Sequence, residues 1–103
     1  MLKLSLEAIE VVDAIDRHGS FAAAASRLNK VPSTISYAVG KLEEQLGIQL
    51  FERNGPRVTL TAAGHEMLKE GRWLLGAAGD LESRLREITA GYGAELRVVE
   101  DSL

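Results

Sequence analysis

The stretch Gly19-Ser20-Phe21-Ala22-Ala23-Ala24-Ala25-Ser26-Arg27-Leu28-Asn29-Lys30-Val31-Pro32 constrains the fold more than any other part of the chain. Ser20 has the chemistry of a helix N-cap, and Phe21, Ala24, Ala25 and Leu28 recur at helical spacing, which predicts a short helix with one buried stripe. Its alanines let a neighbouring helix approach closely. Pro32 suits the first turn of a following helix, where its missing N–H costs nothing. Only Asn29-Lys30-Val31 lies between the two segments. Two helices joined so tightly must meet at a sharp angle, as in a helix-turn-helix.

The helix that opens at Pro32 should run to Leu46 and stop at Gly47. At about 100° per residue, Ile35, Val39, Leu42 and Leu46 fall in one stripe and belong to the core. Ser33, Ser36, Tyr37, Gly40 and Glu44 lie on the other side, with Lys41 at the edge, and the N-terminal half of that face carries no acid. Such a rod has the shape and chemistry to enter a DNA major groove. Upstream, Ser5 caps a first helix to about Arg17, closed by His18-Gly19. Leu4, Ala8, Val11, Val12 and Ile15 face inward there, and Glu7, Glu10 and Asp13 outward. Downstream, Leu50–Arg53 and Arg57–Leu60 are short extended segments around Asn54-Gly55-Pro56, which predicts a two-stranded wing.

Thr61 caps a fourth helix that meets no proline and reaches about Ala90, roughly 45 Å away. Met67, Gly71, Leu74, Ala78, Leu81, Leu85 and Ile88 alternate at spacings of four and three, the seam of a coiled coil with one weak position at glycine. Dimerisation covers that strip; packing against a remainder of a longer chain is the alternative. Tyr92-Gly93-Ala94 ends the helix, and Leu96-Arg97-Val98-Val99 begins an extended run with nothing to pair with. The expected organisation is a DNA-binding domain over residues 1–60, a linker and dimerisation helix over 61–91, and a hinge with the first strand of a further domain over 92–103.

Net charge is −3 over 103 residues, which argues weakly against nucleic acid, but the distribution of charge argues the other way. Residues 17–60 hold Arg17, Arg27, Lys30, Lys41, Arg53 and Arg57 against Glu43, Glu44 and Glu52. The segments on either side are acidic. Affinity for phosphate follows local charge at the contact, so a basic middle is compatible with DNA. The chain has no cysteine, hence no disulfide framework, thiolate zinc site or cysteine nucleophile. His18 and His65 are too isolated for a metal site or a catalytic pair, and Glu43 and Glu44, adjacent on a helix, point to different sides. No nucleophile–base pair, metal cluster or phosphate-cradling loop is present, so neither an enzyme nor a cofactor is expected. No apolar run approaches membrane-spanning length, and the expected location is the cytoplasm.

Gly19-Ser20-Phe21, Ala23-Ala24-Ala25 with Leu28, Pro32-Ser33-Thr34-Ile35-Ser36, Leu42-Glu43-Glu44-Gln45-Leu46-Gly47, Leu50-Phe51-Glu52-Arg53 and Leu60-Thr61-Ala62-Ala63-Gly64 follow one another in this order. In that series the chain resembles the N-terminal DNA-binding region of LysR-type transcriptional regulators, over nearly its whole length. The resemblance implies a mainly α fold: a winged helix-turn-helix of three core helices and a two-stranded wing, followed by a long dimerisation helix. It also implies a homodimer or a dimer of dimers, and a C-terminal domain of about twice this size, absent here, that senses a small-molecule effector. Two positions depart from the family pattern. Tyr37 stands where arginine is frequent, and Lys30 where a small capping residue is common.

The candidate DNA contacts follow from residue chemistry. Ser33, Thr34, Ser36 and Tyr37 offer hydroxyls to base edges and phosphates, and carbon to thymine methyls. Val31 and Pro32 add apolar contact or serve packing alone. Arg53 and Arg57 flank the wing turn, where a guanidinium can enter a minor groove or clamp a phosphate; the plain alternative is a solvated arginine or a salt bridge to Glu52. Ser20, with the N–H groups opening its helix, can hold a phosphate or simply cap. Lys30 and Lys41 are phosphate partners. Met67, Leu74, Ala78, Leu81, Leu85 and Ile88 are the dimerisation residues. Two rivals stand beside this reading: a helical dimerising module that binds another protein, and a one-domain winged-helix repressor of a different family.

Overall fold

The computed structural model describes residues 2–99, with side chains to Ala90. Helix α1 spans Leu6–His18, with the Ser5 hydroxyl oxygen accepting from the Ala8 N–H at 3.0 Å. Helix α2 spans Phe21–Leu28 and is capped in the same way by Ser20, which accepts from the Ala23 N–H at 3.0 Å. Asn29 then turns the chain at a φ of 58°. This left-handed conformation is one that asparagine tolerates better than most side chains. The Lys30 N–H closes the turn on the Ala25 carbonyl at 2.8 Å, and α3 runs Pro32–Leu46 as expected.

Strands β1 (Phe51–Asn54) and β2 (Arg57–Leu60) pair antiparallel, Phe51 opposite Leu60 and Asn54 opposite Arg57. Gly55 sits at a φ of 66° in the two-residue loop between them. A positive φ there gives the turn a twist that matches the strands. Helix α4 spans Ala62–Val99. Thr61 caps it as expected, accepting from the Gly64 N–H at 3.0 Å while donating to the Gln49 carbonyl at 2.7 Å.

The core gathers Val12, Ile15, Ala24, Ala25, Ile35, Val39, Leu50 and Leu68, all nearly inaccessible, so α1, α2, α3 and the start of α4 close around one apolar centre. Burying such side chains contributes about 1.5–3 kcal/mol each for the larger ones. The wing joins this core through Phe51, whose ring meets Phe21 edge-on at 5.9 Å. Ile9 and Ala14 also belong to the buried face of α1.

Several expectations are corrected. Residues 96–99 are not a strand, and the helix does not end at Tyr92-Gly93-Ala94: α4 continues to Val99. Helical hydrogen bonds are satisfied within the segment, whereas a strand needs a neighbour, and among the described residues the sheet contains only β1 and β2. Leu46 is not core but 36% exposed, because it borders an open apolar groove with Ile48 and Leu74. Gly71 does not belong to a free seam, and Met67 is shared between the core and an open groove beside Leu74. Met67 packs against this chain's own core, and a Cβ on Gly71 would meet Ile9 Cγ2 at 2.8 Å. Asp13 is not a simple outward acid: its carboxylate takes the Arg72 Nε at 2.7 Å and the Arg17 Nε at 2.9 Å, and Asp16 takes the Arg72 Nη2 at 2.8 Å. The two Arg72 bonds lash α4 to α1. Burial by itself would raise the Asp13 carboxyl, but the hydrogen bonds and charge of Arg72 and Arg17 prevail and hold it below its ordinary range.

Candidate nucleic-acid interface

Helix α3 presents three distinct sides. Ile35, Val39 and Leu42 are buried. Ser33, Thr34, Tyr37, Gly40 and Lys41 are exposed, Tyr37 to 69%, while Ser36 is half-buried on the flank nearer the wing. Val31 and Pro32, at the entry to the helix, are also exposed, Val31 to 59%. An apolar entry and a hydroxyl-bearing face therefore stand in solvent with no protein partner among the described residues. The Lys41 Nζ lies 5.9 Å from the centre of the Tyr37 ring, within cation–π range, which draws the ammonium onto the same face.

The wing brings a second group to α2. The Arg53 guanidinium carbon lies 4.4 Å over the Phe21 ring, and Arg57 Nη2 is 3.8 Å from the point a Cβ on Gly19 would occupy. Two guanidiniums separated in sequence from Gly19-Ser20-Phe21 thus converge on the segment that opens α2. Arg53 does not pair with Glu52. Among the described residues, none of Lys30, Lys41, Arg53 and Arg57 has a carboxylate within 4.0 Å, whereas Arg17 and Arg72 on the α1–α4 side are paired. The Ser20 hydroxyl oxygen is engaged as a cap, which leaves its proton free to donate.

One positioning residue escaped sequence reasoning. Glu43 Oε2 accepts from the Leu50 N–H at 2.7 Å and from the Phe51 N–H at 3.3 Å. The carboxylate reaches past the Gly47 turn and clamps the root of β1 to α3, so the wing and the exposed helix face are held in one frame. Its signal in the sequence is weak: Glu43 lies on the flank of α3, about 80° from Ile35, rather than on the outer face with Glu44. Thr61 and Gly64 secure the other root. The Thr61 N–H donates to the Leu50 carbonyl at 2.9 Å, and Gly64 packs so tightly against that carbonyl that a Cβ would overlap it.

His18 and His65 are both exposed. Among the described residues no three His, Cys, Asp or Glu side chains cluster in a way that could hold a metal, and no helix is long and apolar enough to cross a membrane. On the seam, Leu74, Leu81, Leu85 and Ile88 are 42–56% exposed in the single chain, and Ala78 lies between them, half-buried.

Three helices around one core, a short turn ahead of the exposed third helix and a hairpin clamped beside it define a winged helix-turn-helix. The chain belongs to the lysR family of bacterial regulatory helix-turn-helix proteins, whose pattern matches residues 6–65. It is 47% identical over 100 residues to the probable HTH-type transcriptional regulator YhaJ of Escherichia coli K12, covering 97% of this chain and 34% of that protein. To the HTH-type transcriptional regulator PunR of the same strain it is 44% identical over 95 residues, 92% of this chain and 31% of the other. The chain thus spans about a third of the length of the curated relatives it matches. Among solved structures it is similar to the CbnR_DBD-DNA complex, with a TM-score of 0.77 and 34% identity over 84% of this chain and 99% of that one. The BenM_DBD/benA site 1 DNA complex gives a TM-score of 0.79 and 31% identity, covering 85% and 99%.

Proposed function

We propose that this chain is the sequence-specific DNA-binding module of a transcription regulator and carries no catalytic activity. The observation that carries the reading is the α3 face: an exposed row of Ser33, Thr34 and Tyr37 without an acid in its first half, bordered by cations that no carboxylate among the described residues neutralises. Helix α3 enters the major groove, where these hydroxyls and the half-buried Ser36 reach base edges and Val31 and Pro32 meet apolar carbon. The Arg53 side of the wing meets the flanking minor groove or its phosphates. Ser20 and the α2 N-terminus, with Arg53 and Arg57 beside them, hold a backbone phosphate. Lys30 and Lys41 hold others. Similarity to two DNA complexes supports this assignment.

The functional unit is a homodimer through α4. Leaving Leu74, Leu81, Leu85 and Ile88 in water would expose a long apolar strip. An apolar groove beside the head, lined by Leu46, Ile48, Met67 and Leu74, is equally uncovered. An antiparallel pairing that crosses near Ala78 covers both. Leu85 and Gly71 each lie about 10 Å from Ala78 along the helix, so the partner's distal seam lands on this groove. A parallel pairing would leave the groove open. In the longer protein, α4 links this head to an effector-sensing domain, and the regulator works in the cytoplasm as a dimer or dimer of dimers.

Selection of bound sites from random DNA, followed by titration of the enriched site at several salt concentrations, tests the proposal. It should enrich an inverted repeat with half-sites one or more helical turns apart and a binding constant that falls steeply with salt. Absence of enrichment together with a flat salt response refutes it.

A further inference from the structure

Major-groove entry leaves a helix between two phosphate walls, and the wing, α2 and Arg53 account for only one of them. The other flank of α3 carries Thr34, Lys41 and Gln45, roughly 100° from the buried stripe. On that side a cleft of about 300 Å³ separates α3 from the start of α1. Its floor is apolar, including Ala8, Val11, Ile35 and Leu42, and its rim carries Lys3, Lys30 and Lys41. Glu7 is the one acid among the lining residues. Lysine stems can lie along such a floor while their ammonium groups stay at the rim in water. Among the described residues, none of the three has a carboxylate within 4.0 Å.

We infer that Lys3 is a DNA-backbone contact, and that with Lys30 and Lys41 it forms a phosphate track along the α1 side of the recognition helix. The inference rests on the DNA-binding reading and extends it to an element outside the helix-turn-helix and the wing. Charge along the sequence conceals this role, because Lys3 is the only base in an acidic first segment. Of the acids in that segment only Glu7 lines the cleft, and folding sets Lys3 on the same rim as Lys30, 27 positions later. A rim of net positive charge beside the exposed Thr34 and Tyr37 continues the DNA-facing surface. An ammonium acts there as a point charge on phosphate, so it adds affinity and salt dependence without base preference.

The test compares the wild-type chain, Lys3→Ala and Lys3→Arg on the enriched site and on a scrambled duplex from about 50 to about 300 mM salt. Each dimer loses two phosphate contacts, so the slope of log K against log salt should fall by about 1.8, and binding to both duplexes should weaken about thirty-fold at about 0.15 M. Lys3→Arg should keep the wild-type slope. The specificity ratio between the duplexes and the thermal midpoint should not move, since Lys3 is exposed and outside the core. An unchanged slope in Lys3→Ala overturns the inference while wild-type binding leaves the DNA-binding reading intact. A lost specificity ratio or a lowered midpoint also overturns it, since either means that Lys3 acts by supporting α1 or α3. If the wild-type chain binds neither duplex, the underlying reading itself has failed.

Discussion

Replacing Glu43 with alanine should unclamp the wing while leaving the helices formed. The carboxylate satisfies the N–H groups of Leu50 and Phe51, two residues only 1% and 4% exposed. A hydrogen bond to a charged group contributes about 1.5–3 kcal/mol. The 2.7 Å bond falls in that range and the 3.3 Å bond below it, and water can reach a half-buried site and replace part of the loss. The expected destabilisation is therefore about 2–3 kcal/mol. For a domain of this size each kcal/mol moves the midpoint by about 4–8 °C, so melting should fall by at least about 8 °C. Urea unfolding followed by circular dichroism should give a lower midpoint with an unchanged slope. Glu43→Gln keeps one side-chain acceptor without the charge and should lose about half as much. Exchange of the Leu50 and Phe51 amides should speed up beyond what global unfolding explains. A Glu43→Ala protein within about 0.5 kcal/mol of wild type, or equal loss in Glu43→Gln and Glu43→Ala, would refute the clamp.

Three further outcomes follow from the packing. Asp13 is held below its ordinary value, so the unfolded chain takes up its proton first as pH drops. Its ion pairs therefore contribute fully above the unfolded value, near pH ~4, and are lost as pH falls through the lower folded one. Acid titration of stability in Asp13→Asn should be flatter below about pH 4 than in wild type, and an equal slope counts against the Arg72 link. Gly64→Ala should cost about 2–3 kcal/mol by overlap with the Leu50 carbonyl and a 2.8 Å contact with Leu60 Cδ2. Alanine otherwise favours a helix by about 1 kcal/mol, so a stabilised variant would show that the approach is not tight. Oxidation of Leu85→Cys should leave the dimer uncrosslinked while Ala78→Cys crosslinks readily; an antiparallel pair sets the Leu85 positions about 20 Å apart, and efficient linkage at both sites would demonstrate a parallel pair.

Helix and turn boundaries are readable in the sequence because their causes are local. Ser5, Ser20 and Thr61 cap within three residues of themselves, Pro32 and Gly47 bracket α3, and Gly55 turns the hairpin. The expectation of a strand at residues 96–99 fails because β-branched composition says nothing of whether a neighbour exists to pair with. Leu46 falls outside the core and Met67 only partly packs against it because helical periodicity specifies a stripe but not where along it the neighbouring element ends.

The amino-acid order by itself determined the three core helices, the wing and the hydroxyl-bearing side of α3, each a matter of contacts a few residues apart. Tertiary structure alone decided that Glu43 holds the wing, that Arg72 reaches Asp13 across 59 positions, and that Lys3 shares a rim with Lys30 and Lys41. Those pairings depend on the angles at which helices cross and on side chains long enough to span the gap. Neither has a period that can be read along a chain.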